Sequence, residues 1–407
     1  MTGLVARTRR LDRDVDPRVV AGADGVLFAR NRVGFGGRGE ALRVGRDDVA
    51  AALAAIDVEV DEVARPGSGP VAFGALPFLP GTPADLVVPS LSVGRAADGT
   101  RWVTTVGSAT DPEPDVAALL DRFDAEAATA ADPGPGSFSV RSSRAPADWV
   151  DAVAEATARI RGGALDKVVL AREVVVEADS PILVDVVLQR LAQAYPDCYL
   201  YLVDGFCGAS PELLVGRAGD VVRAQPMAGT APRRGDPTAD ARLAASLLAS
   251  PTYRREHQVT IDAVHDGLLA FSSYVDYEPE PSVVPLANVQ HLATTVEGRL
   301  SHPPASILEL VAALHPTPAV CGRPRAAALE VIAELEGLDR DRYAGAVGWV
   351  DAAGNGDFAV ALRGATISGS TARVVAGNGL VGDSDPPTEL IETRAKMQAM
   401  LAALLRP

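Results

Sequence analysis

The sequence predicts a mixed α/β fold of the α+β kind, in which large, mostly antiparallel sheets form a core covered by helices. Three observations carry this reading. Short apolar runs bounded by turn residues crowd the first 140 residues, as in Leu42-Arg-Val and Trp102-Val-Thr-Thr-Val, and that is strand patterning. From residue 145 onward, longer segments with apolar residues at helical spacing alternate with strand pairs. Several of those strands, notably between 345 and 376, are separated by turns too short for a parallel crossover.

In the first third, strands are predicted over 25–30, 42–44, 71–74, 86–93 and 102–106. One helix interrupts them over 49–56, with Asp47 or Asp48 as its cap. The run 131–139, Ala-Asp-Pro-Gly-Pro-Gly-Ser-Phe-Ser, breaks both helix and strand. It divides an N-terminal strand-rich region, 1–140, from a second region, 145–407, with the first packed on the core of a single globular unit. Beyond it a helix begins at Pro146 and stops at Gly162-Gly163, and a strand follows over 167–176. The next predicted elements are a helix over 181–194, strands over 198–204, 212–216 and 220–224, and helices over 238–249 and 252–271. A strand over 289–298, helices over 306–314 and 325–335, and strands over 345–351, 357–366 and 371–376 come after them. The last helix runs from Ser384 to about Leu405, with Ser384 or Asp385 as N-cap and Pro386-Pro387 in the first turn, where their missing N–H groups cost nothing.

Composition narrows the function. With 38 Lys and Arg against 53 Asp and Glu, the 407-residue chain carries a formal charge of −15, so nucleic acid and anionic membrane are poor partners. At 47% hydrophobic and 22% charged residues it is ordinary for a globular protein. No run approaches the length of a membrane span, and the basic N-terminus lacks the apolar stretch of a leader. Cys198, Cys207 and Cys321 are odd in number and widely spaced; they read as buried thiols in a reducing cytoplasm, with no zinc site. Gly34-Phe-Gly-Gly-Arg-Gly39 spells a dinucleotide-binding pattern. That motif needs a helix directly after the glycines to hold a pyrophosphate, and here Leu42-Arg-Val-Gly45 intervenes, so a flexible hairpin loop is expected and a hydride-transfer enzyme stands only as a competitor.

The second half places ionisable residues where strands and helices are ordinarily apolar. Lys167 opens an apolar strand, Glu212 follows Ala209-Ser-Pro, Glu256 precedes His257 in a helical pattern, and Arg363 is enclosed by Val360-Ala-Leu and Gly-Ala-Thr. His291 sits in Val289-Gln-His-Leu, and Glu389, Glu392 and Lys396 share one helical face. Singly, each has an ordinary explanation: an edge charge, a solvated helix face, a satisfied core histidine.

Together, in order, they resemble the chorismate-binding catalytic region shared by isochorismate synthases, salicylate synthases and the large subunits of anthranilate and aminodeoxychorismate synthases. The matching stretches include Lys167-Val-Val-Leu-Ala-Arg, Ser210-Pro-Glu-Leu-Leu, Gln225-Pro-Met-Ala-Gly-Thr, Glu256-His257, Val289-Gln-His-Leu and Leu314-His-Pro-Thr-Pro-Ala-Val-Cys-Gly. Tyr343-Ala-Gly-Ala-Val-Gly-Trp, Val360-Ala-Leu-Arg, Ala376-Gly-Asn-Gly and Glu389-Leu-Ile-Glu-Thr-Arg-Ala-Lys complete the series. The resemblance implies the chorismate-binding-enzyme fold and chorismate, a dicarboxylate, as substrate. It makes Lys167 the base that activates water and Glu212 the acid that protonates the departing hydroxyl. It implies Mg²⁺ as cofactor, held directly by Glu256 and Glu392 with Glu389 helping through water. Gly229, Thr230, Gly377, Asn378 and Gly379 are implied carboxylate contacts through backbone N–H groups; Arg363 and Lys396 supply charge, Tyr343 a phenol, and His291 positions the ring.

Three positions choose the branch. Lys167 favours water over ammonia, so no obligate glutaminase subunit is expected. Ala228 stands where the aminodeoxychorismate branch often has a lysine, and Ala319 where salicylate synthases usually have threonine. The expectation is an isochorismate synthase, with salicylate synthase as the alternative and a silent chorismate-binding protein as a reading from another class. Its product would feed menaquinone, a catechol siderophore or salicylate, and a monomer is expected. One departure stands out: the family usually reads Ala-Gly-Ala-Gly where this chain has Ala376-Gly-Asn-Gly.

Overall fold

The computed structural model describes residues 3–129, 134–233, 235–287 and 289–405. Its strands form three sheets. The largest, of thirteen strands among the described residues, runs in the order Phe138–Ser142, Lys167–Ala178, Thr371–Leu380, Gly364–Ser368, Phe206–Ser210, Tyr199–Val203, Val26–Arg30, Val33–Arg38, Leu91–Arg95, Arg101–Ser108, Leu4–Arg10 and Asp57–Asp61, with the short Gly322–Arg323 pairing Lys167–Ala178. The second orders Ser272–Tyr277, Val296–Leu300, Val221–Ala224, Leu213–Ala218, Gly356–Val360, Ala346–Asp351, Val71–Leu76, Asp85–Val88 and Leu42–Gly45. The third is small: Met227–Pro232, Val289–Ala293 and Ser282–Pro285. Leu4–Arg10 with Asp57–Asp61 is a parallel pair; the others are antiparallel, both those joined by tight turns and those far apart in sequence, such as Lys167–Ala178 with Thr371–Leu380. Strands from the first 108 residues complete the same two large sheets as strands from the last 60.

Both large sheets bury long apolar runs. Lys167–Ala178 is buried over its first ten residues and Val71–Leu76 throughout, the pattern of strands covered on both faces. Helix Pro146–Arg161 covers one face through Trp149, Ala152, Val153 and Ala156, and its buried Trp149 indole donates to Ala171 O at 3.0 Å. Behind the Lys167 strand lies a buried ion pair, Arg340 with Glu336. The Arg340 guanidinium also donates to Val320 O and Val169 O, each at 2.8 Å, and Ala171 N donates to Glu336 Oε2 at 2.7 Å. Five residues of three segments are thereby locked to one another without solvent.

Several sequence expectations are corrected. The predicted 357–366 strand is two strands, because the chain leaves one sheet at Val360 and joins the other at Gly364. The 289–298 strand is likewise two, Val289–Ala293 and Val296–Leu300, in different sheets. Residues 371–376 extend as strand to Leu380, so Gly377-Asn-Gly379 is strand rather than loop. Gly34–Gly39 is no loop either. It lies largely in Val33–Arg38, a strand whose Gly36 packs so tightly on helix Pro17–Ala21 that a Cβ there would stand 1.8 Å from Pro17 O. Asp48 stands at the N-cap of helix Val49–Ala54, as expected, but makes no side-chain cap bond; a 3₁₀ turn, Arg46–Asp48, leads into the helix. Helices Pro17–Ala21 and Val116–Thr129 and strands such as Leu4–Arg10 and Ser272–Tyr277 were not predicted. The boundary run 131–139 falls partly outside the described residues.

Candidate active site

The site is built where the chain crosses between the two large sheets. Ser210-Pro211-Glu212 carries it from Phe206–Ser210 of the larger sheet into Leu213–Ala218 of the smaller, and Leu362-Arg363 carries it back from Gly356–Val360 to Gly364–Ser368. The crossings are tied together. Val360 N donates to Glu212 O at 3.0 Å, Ala209 N to Arg363 O at 3.2 Å, and the Ser210 hydroxyl to Val360 O at 2.5 Å. Arg363 holds a φ of 53°, a left-handed conformation uncommon for a side-chain-bearing residue. Next to it the buried Tyr201 hydroxyl donates to Leu362 O at 3.0 Å.

A cavity of about 550 Å³ opens at these crossings, a size suited to a small-molecule ligand. Lys167, Glu212, Gly229, Thr230, Glu256, His291, Ala319, Tyr343, Arg363, Gly377, Gly379, Glu389, Glu392 and Lys396 all line it. The sequence-predicted residues are thus brought together, with one exception. Asn378, expected among the substrate contacts, does not line the cavity and is 1% exposed. Along the strand it alternates with Gly377 and Gly379. Val169 N and Ala171 N, opposite those glycines, bond away from the strand to Cys321 O and Glu336, so the Asn378–Leu170 pair is the one whose main-chain groups bond to each other. Its N–H is spent in the ladder.

At one wall Glu212 is 4% exposed and takes a single bond, from Met227 N at 3.3 Å. Burial pushes its pKa up to about 8, against the smaller downward pulls of the Met227 N–H and the Lys167 charge. At neutral pH this carboxyl is a proton donor. Lys167 Nζ lies 2.6 Å from Glu256 Oε1, on helix Pro251–Leu269. The lysine passes over Gly379, where a Cβ would stand 2.6 Å from Lys167 Cε and 3.1 Å from its Nζ; glycine is required by close approach rather than by conformation.

The opposite wall is cationic. Arg363 Nη2 donates to His291 Nε2 at 2.8 Å, and His291 Nδ1 is 3.1 Å from Thr230 Oγ1. Burial, then the charges of Arg363 and Lys396, hold the imidazole pKa well below its ordinary value. With Nε2 accepting, Nδ1 carries the proton, and His291 is a neutral spacer between Arg363 and the bulge at Gly229. Lys396 Nζ donates to Gly377 O at 3.1 Å; burial lowers its pKa, against Glu392 and Glu389. Burial raises the Tyr343 pKa to about 12, against the Arg340 charge and, more weakly, a bond that its oxygen accepts from the Gly377 main chain.

Three carboxylates form the third wall. Glu389 and Glu392 lie on helix Pro386–Leu405, whose first turn is capped by Asp385 accepting from Thr388 N at 3.1 Å. Desolvation raises the Glu392 pKa, Lys396 opposes it, and the charges of Glu389 and Glu256 add to it. Such mutual repulsion is what a bound cation relieves, and hard carboxylate oxygens suit Mg²⁺. Among the described residues no three His, Cys, Asp or Glu side chains group closely enough to form a coordination sphere by themselves. Mg²⁺ ordinarily keeps several waters and takes one or two protein carboxylates, so the donor set fits that ion with oxygens from water or substrate completing it.

Residues not singled out from sequence also line the cavity: Met227, Leu362 and Val375 supply apolar wall, and Ser250, Thr252, Tyr253 and Thr388 stand at two helix N-termini. Ser250-Pro251 and Asp385-Pro386 are helix-start signals, but nothing in a start signal shows what it faces. A second cavity, of about 680 Å³, is lined by Arg18, Arg38 and Arg43. Its arginines are already paired, Arg38 with Glu126 at 2.6 Å and Arg43 with Asp204 at 2.9 Å.

The chain matches the family described as Chorismate binding enzyme over residues 46–405. It is 39% identical over 401 residues to a Mycobacterium tuberculosis protein provisionally named as the isochorismate synthase MenF, covering 95% of this chain and 96% of that protein. It is 41% identical over 270 residues to the isochorismate synthase DhbC of Bacillus subtilis, covering 64% of this chain and 68% of DhbC. In fold it resembles the solved menaquinone-specific isochorismate synthase MenF of Escherichia coli, with a TM-score of 0.80, 24% identity, and coverage of 99% of this chain and 95% of that one. The family match includes every residue of the cavity, and the chain belongs to the chorismate binding enzyme family.

Proposed function

We propose that the protein is an isochorismate synthase, converting chorismate to isochorismate with Mg²⁺ as cofactor. The observation that carries this reading is Glu212: a buried carboxyl held protonated at neutral pH, on the same cavity as a lysine. In the reaction Lys167 takes a proton from water as its oxygen bonds to ring C2, the ring double bonds shift, and the C4–O bond breaks. Glu212 gives its proton to the departing hydroxyl, which leaves as water. Arg363, seated on His291, pairs with the enolpyruvyl carboxylate, and the Lys396 ammonium adds charge on the same side. Bound at Glu256 and Glu392, with Glu389 acting through water, Mg²⁺ would supply Lewis-acid charge and a template for the ring carboxylate.

Ala319 supports the isochorismate reading over the salicylate one, because its methyl offers the substrate no hydroxyl. Cavity walls already bearing Lys167 support water over ammonia, so no glutaminase subunit is needed and a monomer suffices. Three free, buried cysteines suit a cytoplasmic protein, and no helix of the described residues is long and apolar enough to cross a membrane. Product analysis with chorismate and Mg²⁺ tests the proposal. Isochorismate without pyruvate is expected; stoichiometric pyruvate with salicylate would move the protein to the lyase branch, and an amino product dependent on ammonia would move it to the amine branch.

A further inference from the structure

The one residue of the family signature that departs from the usual pattern is also the one that leaves the cavity. Asn378 lies in strand Thr371–Leu380, and its Nδ2 donates to two oxygens of Glu389, the main-chain O at 2.9 Å and carboxylate Oε2 at 2.8 Å. Glu389 is 8% exposed and belongs to the first turn of the helix that also carries Glu392 and Lys396. The amide orientation follows from these partners, since only an amino group can face two acceptors. Its other end, Oδ1, is buried and has no hydrogen-bond partner among the described residues. A buried amide brings polar atoms that must be satisfied, a demand that the family's usual alanine does not make. What the asparagine contributes in return is therefore to be sought in the amino group and the carboxylate it holds.

We infer that Asn378 is a positioning residue for the proposed metal site, fixing the Glu389 carboxylate and the first turn of its helix against the strand that carries Gly377 and Gly379. The inference rests on the Mg²⁺ reading of the three glutamates. With Oε2 held by Asn378, the carboxylate keeps one orientation before the cation arrives, and Oε1 is the oxygen left for a metal-bound water. An alanine in its place leaves Glu389 free to rotate, so the cation must order it on binding.

The test is titration of the full-length protein with Mn²⁺, followed by the electron paramagnetic resonance of free Mn²⁺ and by Mg²⁺ competition, with no substrate present. Asn378→Ala is expected to weaken Mn²⁺ binding about tenfold, the lower end for loss of an outer-shell partner. In a Glu389→Ala background the same substitution is expected to have no further effect, because the two residues act as one unit. Asn378→Ser, smaller and polar, serves as the second variant if the alanine form does not fold. Wild-type affinity in the variant overturns the inference, as does a tenfold loss that persists undiminished in the Glu389→Ala background, which would mark a purely structural bond to the main chain. Absence of any Mn²⁺ or Mg²⁺ binding by the wild type would overturn the metal reading itself, and the inference with it.

Discussion

Glu212 shows how much a site depends on what surrounds one carboxyl. Four nearby glutamates share this cavity, and the one assigned as the acid is the 4%-exposed residue with a single backbone donor. Glu212→Gln keeps the shape and removes the proton, so kcat should fall by ~10²–10⁴ with KM nearly unchanged; steady-state kinetics check it, and a near-wild-type kcat would remove Glu212 from the chemistry. Because the acid form is required, kcat/KM should decline as pH rises through about 8. The linkage to stability has the same sign. The folded pKa of about 8 lies above the usual 4.5, so the stabilisation this group contributes is complete below 4.5 and is lost as pH rises to about 8. Urea unfolding should therefore show Glu212→Gln flattening the pH dependence in that window. Lys167, Glu212 and Arg363 were legible in the sequence because a charged residue inside an apolar run needs a reason. Asn378 was legible only as a departure: that its side chain would turn to Glu389 depends on strand register, which a one-residue shift would reverse.

At the scale of elements, the buried Arg340–Glu336 pair joins the Lys167 strand, through Val169 O and Ala171 N, to Val320 beside Ala319. Arg340→Met should cost roughly 3–5 kcal/mol by stranding Glu336, and replacing both partners by apolar residues should cost much less; urea midpoints distinguish the two. Gly379→Ala should lower kcat with little loss of stability, since the clash is with the flexible end of Lys167 rather than with backbone; a wild-type rate would mean the lysine is not held there. Helices such as Pro146–Arg161 were readable from period, from Pro146 at the start and from the Gly162-Gly163 stop. Val116–Thr129 had its signal too, in Val116, Leu119, Leu120 and Phe123 at helical spacing, but it lay among strands. The breaks at Leu362-Arg363 and at Thr294-Thr295 were not readable. At Leu362-Arg363 both flanking strands are largely buried and show no clear alternation; at Thr294-Thr295 the second strand, Val296–Leu300, does alternate, but no turn signal separates it from the first. The site stands on the Leu362-Arg363 crossing and on Ser210-Pro211-Glu212, so its residues were visible before its architecture was.

Across the whole molecule, a chain of charge −15 is proposed to take a dianion. The cavity reconciles them by segregation: Arg363 and Lys396 on one wall, and on another three carboxylates that need a cation. Chelation of divalent metal should abolish turnover, and restored Mg²⁺ should recover it, far beyond any effect of matched ionic strength, which screens exposed charges over ~10 Å but reaches buried ones poorly. Equal loss in salt alone would contradict the local account. The central claim is that solvent water is added at C2 while Glu212 releases the C4 hydroxyl. The most direct measurement is mass analysis of the product formed from chorismate and Mg²⁺ in H₂¹⁸O. One ¹⁸O incorporated into isochorismate, with no pyruvate, is the predicted result; unlabelled product, or pyruvate released in step with turnover, would contradict it.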